Sequence, residues 1–402
     1  MSQEKSKDKI NIVLLHGWGT MSKEDVVMRQ IYQDFEKENP DVKLSLVSMP
    51  SFESLEEKAK DMLAIGNIPN IIYTGVGGTD TLYNFMVEQD SAVDLMPYLL
   101  EDEQFHSNVS PYILKRWTTQ EQKLYTVSDL LDIKGYWYNK KIFANAGITE
   151  VPNTWKDFMD ACQKIKEWSA EKKYNTVVMD FDAKKSAVLL QAILPEPEGS
   201  TAFYPLGSNS FSFLQNLSLF KRIYQENDIR AVEDVYKEPL FSFRFGHSAI
   251  YIGEIWEARE FSEHLDADYA LFPNRSGKQE TQISAGSGYL ISNWGSKEQQ
   301  EASVRFIKYM LSYPVQMKIL WETGRIPSNP RIDMEVLKNT KSKLYFAYQK
   351  ALESEIQKET PENSWNGYIY RKYISQVQRY LHGDIDEKRL IQYMADREKN
   401  IR

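Results

Sequence analysis

Three tryptophans and a pair of aspartates are the residues whose types and placement could do chemistry. Trp18 lies in the glycine-flanked run His16-Gly-Trp-Gly-Thr20, just past an apolar stretch that reads as a strand. Trp256 follows Ile250-Tyr-Ile-Gly-Glu-Ile255, just past another such stretch, and Trp365 follows Pro361-Glu-Asn-Ser364 in the polar C-terminal region. All three fall where an element opens to a loop and not on an apolar stripe. An aromatic face backed by a few polar groups suits the apolar face of a sugar ring, whose hydroxyls need Asp, Asn, Arg or backbone partners. The competing reading makes each indole a lid over the core. Trp155, beside the cap residue Thr154, and Trp168, on the following helix, are assigned to structure. Asp129 and Asp132 stand close enough in sequence to form a carboxylate pair of the glycosidase kind. They equally fit a polar crossing segment whose acids bind hydroxyls. Hydroxyl binding is favoured, because no second motif supports catalysis.

Other reactive constellations are missing. There is no Gly-x-Ser-x-Gly elbow, no Walker lysine loop and no His-Glu-x-x-His. Gly75-Val-Gly-Gly78 follows a strand but misses the dinucleotide spacing, so it reads as an ordinary loop. The histidines His16, His106, His247, His264 and His382 lie far apart without ligand spacing. No metal or cofactor is expected. His16 alone is kept as a candidate, at a strand end beside Trp18. One cysteine, Cys162, excludes an intrachain disulfide and any multi-cysteine metal site.

The elements that must position these residues read as α/β. The chain has 402 residues, more than one ordinary core supports, so two domains are expected. Lys and Arg number 49 and Asp and Glu 57, a net charge of −8, which argues against nucleic acid as the main ligand. No apolar run of about 18 residues offers a membrane span. Aromatic residues make up 13% of the chain, and part of that surplus is assigned to a ligand-facing surface. Residues 10–15 read as a buried strand. Ser22 caps a helix with Asp25 three residues on, and Val27, Ile31 and Phe35 share one face. Val42, Leu44 and Leu46 alternate as a second strand. Leu55, Ala59, Met62 and Leu63 form a second helical stripe, and 70–73 reads as a third strand. This β-α-β-α-β run implies a parallel sheet with right-handed crossovers, whose ligands bind outside the carboxyl ends of the strands. The loops 16–21, 50–54 and 74–80 should therefore matter.

A second α/β region follows. Thr154 and Asp157 start a helix with Phe158, Cys162 and Ile165 on its buried face. Residues 176–179 and 247–252 read as strands and 211–224 as a helix. Ser296 with Gln299 opens another helix through Leu311, and 337–401 is polar, Tyr-rich and helical in period. No linker rich in Gly, Ser or Pro divides the chain, which suggests domains joined by several crossings. The first nine residues lack the apolar core of a signal peptide. That start reads as cytoplasmic, or as the polar tether of a mature protein whose leader or lipid anchor has been removed.

Six segments, in order, resemble the extracellular solute-binding proteins of carbohydrate ABC transporters, the group that includes maltose-binding protein. They are Phe35-Glu-Lys-Glu-Asn-Pro-Asp-Val42; Leu63-Ala-Ile-Gly-Asn-Ile-Pro-Asn-Ile-Ile72, with Asn70 where Asp is usual; and Tyr136-Trp-Tyr-Asn-Lys-Lys-Ile-Phe-Ala-Asn-Ala-Gly147 continued by Val151-Pro-Asn-Thr-Trp-Lys-Asp-Phe158. Gly246-His-Ser-Ala-Ile-Tyr-Ile-Gly-Glu-Ile-Trp256, Tyr269-Ala-Leu-Phe-Pro273 and Thr323-Gly-Arg-Ile-Pro327 complete the set.

The resemblance implies two α/β lobes of periplasmic-binding-protein-like fold, joined by a hinge, with the ligand in an interlobe cleft. Lobe one would comprise residues 9–127 and 276–326, and lobe two 128–275 and 327–402. It implies a monomer that captures an oligosaccharide and delivers it to the membrane permease of an ABC importer, with no catalysis and no cofactor. The protein would be extracellular, either as a membrane-tethered lipoprotein or in a periplasm. Trp256 stands at the family's ring-stacking tryptophan. Asp129 and Asp132 stand in the hinge crossing, where an acid binds sugar hydroxyls. Gly286-Ser287-Gly288 matches a small-residue loop at the cleft rim. Arg325, in the late turn, would reach a hydroxyl or an acidic sugar, and Asp180 would follow a lobe-two strand. Trp365 would parallel a second stacking residue. His16 and Trp18 rest mainly on the strand-end argument. A glycoside hydrolase using Asp129 or Asp132, and a sugar sensor of the same fold, are the alternatives.

Overall fold

Ile10–His16 lies beside two parallel strands, as its apolar sequence demands of a chain segment covered on both faces. A computed structural model describes residues 9–74, 82–173, 175–194, 210–231, 238–262, 264–274, 277–285, 287–365 and 367–395. The loop 75–80, with its Gly75–Gly78 run, Gly286 and the last residues of the tail fall outside the described residues. The chain divides into two compact units, Met1–Leu131 with Ala285–Asp333 and Asp132–Ser284 with Met334–Arg402.

The first unit carries a four-stranded sheet in the order Gly288–Ile291, Ile71–Thr74, Ile10–His16, Val42–Ser48. Ile10–His16 runs parallel to both of its neighbours, and Gly288–Ile291 is antiparallel to Ile71–Thr74. The helix Lys23–Glu38 starts where Ser22 accepts a hydrogen bond from the Asp25 amide at 3.1 Å, and it buries Val27, Met28, Ile31, Tyr32 and Phe35. Lys297–Met310 begins at the reciprocal cap of Ser296 and Gln299 and turns Ala302, Phe306, Ile307 and Met310 inward. Tyr313–Thr323 ends at Gly324, whose φ of +75° is the left-handed conformation that glycine adopts without strain.

The second unit carries a mixed sheet in the order Ile356–Lys358, Gln279–Ser284, Leu130–Asn139, Ser248–Glu254, Val177–Phe181, Ile229–Ala231. Ser248–Glu254 is antiparallel to Leu130–Asn139 and parallel to Val177–Phe181. The helix Trp155–Lys172 opens on the reciprocal cap of Thr154 and Asp157 and buries Phe158, Cys162 and Ile165. An ion pair is buried beside the sheet. Lys358 Nζ lies 2.7 Å from Glu280, and also donates to the carbonyls of Leu194 at 2.7 Å and Gln191 at 3.2 Å. Three partners match the three ammonium protons, the condition under which a charge survives burial.

The units break at 131/132, 284/285 and 333/334, several residues later than the sequence suggests at 127/128, 275/276 and 326/327. The reason lies in local bonding. The Asp129 carboxylate is held by Tyr73 and Tyr289 of the first unit. Ile326-Pro327 pairs with Leu131 and Leu130, and Asn329 bonds to Gln316 and Leu311, so these residues stay with the first unit. Gln279–Ser284 is a sheet strand of the second.

Trp365 is a core residue and not a stacking platform. It is fully buried, donates to Gln191 Oε1 at 2.7 Å and packs on Tyr373 at 5.3 Å between ring centroids. Removing it leaves both a cavity and an unpaired amide oxygen. Trp365→Ala is expected to lose about 3–5 kcal/mol of stability in urea unfolding, and Trp365→Phe clearly less. A loss under about 1 kcal/mol for the alanine variant would return Trp365 to the surface.

Candidate functional site

In the first unit the candidate groups gather where Ile10–His16 ends. His16 is fully buried, with both ring nitrogens engaged. Nδ1 accepts the Trp18 amide at 3.1 Å and Nε2 meets Ser48 Oγ at 3.0 Å, while the ring stands edge-on to Tyr32. Burial, helped by the nearby Arg29 charge and opposed by Asp25, lowers its pKa to about 4. His16 is therefore a neutral anchor of the turn. It fixes Trp18 and does not itself face a ligand, which corrects its assignment from sequence. Gly19 lets the loop close on its neighbour, since a Cβ there would lie 2.5 Å from the Met49 carbonyl oxygen.

Trp18 is only 6% exposed. Tyr73 lies 5.9 Å away, and the Arg325 guanidinium stands 5.7 Å over its ring. Arg29 donates to the Trp18 and Thr20 carbonyls. Arg325 follows the left-handed Gly324 and is committed to an ion pair with Glu24, Nε to Oε1 2.5 Å, in which both side chains are largely buried. The late-turn cation is thus a structural partner of Glu24 and Trp18 before it is anything else.

Asp129 already accepts a tyrosine hydrogen bond on each carboxylate oxygen. It is fully buried, with Tyr73 donating to Oδ1 at 2.9 Å and Tyr289 to Oδ2 at 2.8 Å. Tyr32 joins the cluster through the Tyr289 hydroxyl at 3.1 Å. Burial raises the Asp129 pKa to about 6, against the two tyrosine hydrogen bonds and Arg325, which favour the charge. Asp132 is half-buried on Leu130–Asn139, opposite Ser284 in the second unit. At the same end of the first unit's strands, where Gly288 pairs with Thr74, Ser287 is half-buried and Gly288 is forced by space: a Cβ would lie 2.4 Å from Thr126 Oγ1. Thr74 Oγ1, Thr126 Oγ1 and Ser128 Oγ are buried hydroxyls without a partner among the described residues. Thr74 opens the loop 74–80 singled out in the sequence; reasoning from sequence missed Thr126 and Ser128, since a serine or threonine at a strand end carries no signature.

In the second unit the site is built around Trp256. Ser248–Glu254 ends at Gly253-Glu254 and turns into the short helix Ile255–Glu260. Only glycine fits at 253, because a Cβ would lie 2.3 Å from Glu257 Oε2 and 2.4 Å from the Tyr251 ring. That room lets Glu257 fold back to accept the Glu254 amide at 2.7 Å and the Tyr251 hydroxyl at 2.7 Å. Burial raises the Glu257 pKa, opposed by Lys185, whose Nζ lies 3.9 Å from it. Trp256 is half-buried. Its indole N–H donates to Glu254, and the Arg259 guanidinium lies 4.6 Å from the ring centroid. Lys134, in register with Glu254, lies 3.8 Å from Glu254 and bonds to Glu362. Burial works against the Lys134 charge, but Glu362, Glu254 and Asp132 outweigh it and raise its pKa. Asp180 is not past its strand but within Val177–Phe181, 7% exposed. Its pKa is raised by burial, with Ser242 and Arg230 acting the other way.

The structure thus joins His16, Trp18, Asp129 and Arg325 in one cluster, and gives Trp256 a setting of Glu254, Glu257, Lys134, Lys185 and Arg259. The acids flanking Trp256 are visible in Gly253-Glu-Ile-Trp-Glu257. Lys134 and Glu362 are not, being far from it in sequence. Both clusters hold titratable groups displaced in a way that stability should report. His16 is near 4 when folded and near 6.5 when unfolded, so the unfolded chain binds the extra proton between those values. Stability from this group is complete above about pH 6.5 and falls by up to roughly 3 kcal/mol as pH drops towards 4. Asp129 acts oppositely: its folded form takes up a proton near 6, so acidification from about 6 to 3.8 adds stability. Urea unfolding from pH 7.5 to 4 should show a flatter acid limb for His16→Gln and a steeper one for Asp129→Asn. Parallel curves for all three proteins would remove both assignments.

The chain can be set beside known proteins on this geometry. A family model for bacterial extracellular solute-binding proteins matches residues 30–341. The putative ABC transporter periplasmic-binding protein YcjN of Escherichia coli strain K12 is 24% identical over 243 residues, 58% of this chain and 54% of that protein. The multiple sugar-binding protein of Streptococcus mutans is 23% identical over 163 residues, 40% of this chain and 36% of that one. The chain therefore spans about half the length of the first curated relative and about a third of the second. Among solved structures, a Streptococcus pneumoniae solute-binding protein in complex with the blood group A-trisaccharide matches with a TM-score of 0.79 and 22% identity, covering 97% of this chain and 100% of that one. A chitin oligosaccharide binding protein matches at 0.80 and 18%, covering 98% and 99%. At these identities the structures speak for the two-lobe α/β fold alone. The match over residues 30–341 carries the assignment: the chain belongs to the bacterial extracellular solute-binding protein family, whose members bind substrates and are not enzymes.

Proposed function

We propose that the protein captures an oligosaccharide outside the cell membrane and delivers it unchanged to the membrane permease of an ABC importer. The observation that carries this reading is Trp256. It is a half-buried indole at a strand end, with its N–H bonded to Glu254 and ionised groups around its rim. A sugar ring laid on such a face is desolvated on one side while its hydroxyls meet carboxylates and ammonium groups sideways. The proteins whose folds resemble this one include binders of a blood group trisaccharide and of chitin oligosaccharide, which supports the same class of ligand. The reading also places the protein at the cell surface as a lipoprotein, or in a periplasm, and working as a monomer.

Ligand capture in this reading ends in closure. Only three chain crossings, at 131/132, 284/285 and 333/334, link the units covalently. Rotation about so few crossings leaves each core intact, so ligand affinity can set the balance of open and closed forms.

A thermal-shift screen across a glycan panel should identify the ligand, because a ligand at 100 times its Kd adds about 2.7 kcal/mol of stability. With that glycan, Trp256→Ala should lose about thirtyfold in affinity with a small change in ligand-free melting temperature. A large drop in melting temperature with near-normal affinity would make Trp256 a core lid. Small-angle scattering should give a smaller radius of gyration with the glycan than without it. Consumption of the glycan at a rate scaling with protein concentration would end the transport reading.

A further inference from the structure

A half-exposed tryptophan makes a good platform only if its ring is held still. Otherwise the ligand must freeze it, and that ordering is subtracted from the affinity. Trp256 sits on the short helix Ile255–Glu260, which by itself gives the indole little lateral support. What holds it comes from residue 254. The indole has one donor, its ring N–H, which lies in the ring plane. An acceptor in that plane resists rotation of the ring and covers neither face. Glu254 accepts this N–H at the ring edge.

Glu254 is itself unusually constrained. Its N–H donates to Glu257 Oε2 at 2.7 Å, and its carbonyl accepts from Trp137 Nε1 at 3.2 Å. Its carboxylate faces Lys134 Nζ at 3.8 Å, on the neighbouring strand in register with it. Lys134 is 9% exposed and is tied in turn to Glu362, at the start of the short helix Pro361–Ser364. The chain of contacts runs from the helix Pro361–Ser364 across two sheet strands to the indole edge: Glu362, Lys134, Glu254, Trp256. Arg259 adds a grip on a ring face at 4.6 Å, and the half-buried ring keeps accessible surface for stacking.

We propose that Glu254 is the positioning residue of Trp256, fixing the indole by an edge-on hydrogen bond through a carboxylate that Lys134 holds in place. The proposal rests on the reading of Trp256 as a sugar platform. It assigns Glu254 an effect on affinity that passes through the ring, without contact between Glu254 and the ligand.

The test uses the full chain labelled with 5-fluorotryptophan, with the Trp256 fluorine resonance identified by its loss in Trp256→Phe. In the ligand-free protein, Glu254→Ala should shift and broaden that resonance, and Glu254→Gln, which keeps an acceptor, should leave it nearly in place. Calorimetric titration then uses the blood group A-trisaccharide and a chitin trisaccharide as probes. For whichever binds, Glu254→Ala should weaken affinity about tenfold. Glu254→Gln should stay within about threefold of the parent protein, and Glu254→Ala added to Trp256→Phe should cost nothing further. If Glu254→Ala does not fold, Glu254→Leu removes the acceptor while keeping the aliphatic bulk. Equal losses in the parent protein and in the Trp256→Phe background would overturn the proposal and make Glu254 a direct ligand contact. An unmoved fluorine resonance in Glu254→Ala would overturn it as well. If neither trisaccharide moves the Trp256 resonance while Glu254→Ala does, the positioning contact stands and the sugar reading fails for these probes.

Discussion

The cost of burying an unpaired charge governs both ends of this protein's chemistry. A desolvated ion persists only where partners replace its water. Lys358 meets that demand with Glu280 and two carbonyls, Arg325 with Glu24, Lys134 with Glu254 and Glu362, and Asp129 with two tyrosine hydroxyls. Each pairing removes a residue from the pool that could meet a ligand directly. It also stiffens the strand end that carries it. Arg325 and Glu24 back Trp18, and Lys134 and Glu254 back Trp256. The charged groups nearest the tryptophans therefore act first as scaffolding, and what they leave exposed is aromatic surface with a polar border.

This separates what can be read in the sequence from what cannot. Hydrophobic period and caps are local, so Ser22 with Asp25, Thr154 with Asp157 and Ser296 with Gln299 mark the three helix starts found in the structure. The strands at 10–15, 70–73 and 247–252 lie within one or two residues of those observed. The short helices Leu82–Glu88, Met96–Glu101, Glu103–Asn108 and Pro111–Trp117 are not legible, because six or seven residues are too few to show an apolar stripe.

Side-chain roles are much less legible, for a physical reason. Trp365 and Trp256 both stand in sequence where an element opens to a loop, yet the first closes on Gln191 and Tyr373 and the second stays half-exposed. The partners that decide this lie far away in the chain. Asp129 is the same case, since Tyr73 and Tyr289 are brought to it by the sheet and by nothing near it in sequence. Composition fixes which residues are able to bind a sugar; only the fold fixes which of them still keep accessible surface.

Trp18 and Trp256 show how that distinction bears on recognition. Trp18 is 6% exposed, with Tyr73 beside its ring and Arg325 over it, and its backbone is tied to His16 and Arg29. Little of its surface is left to desolvate, so little binding energy can come from covering it. Its role is to shape the strand end for others. Trp256 keeps surface in reserve, and its restraint comes from the ring edge and one face. A platform of this kind gains from burial of its remaining surface without a large ordering cost, which is the condition for a few contacts to dominate affinity. If Trp256 is the platform proposed above, the indole sets only that a flat apolar face is required, and selectivity must come from polar groups that are not already spent on holding the ring.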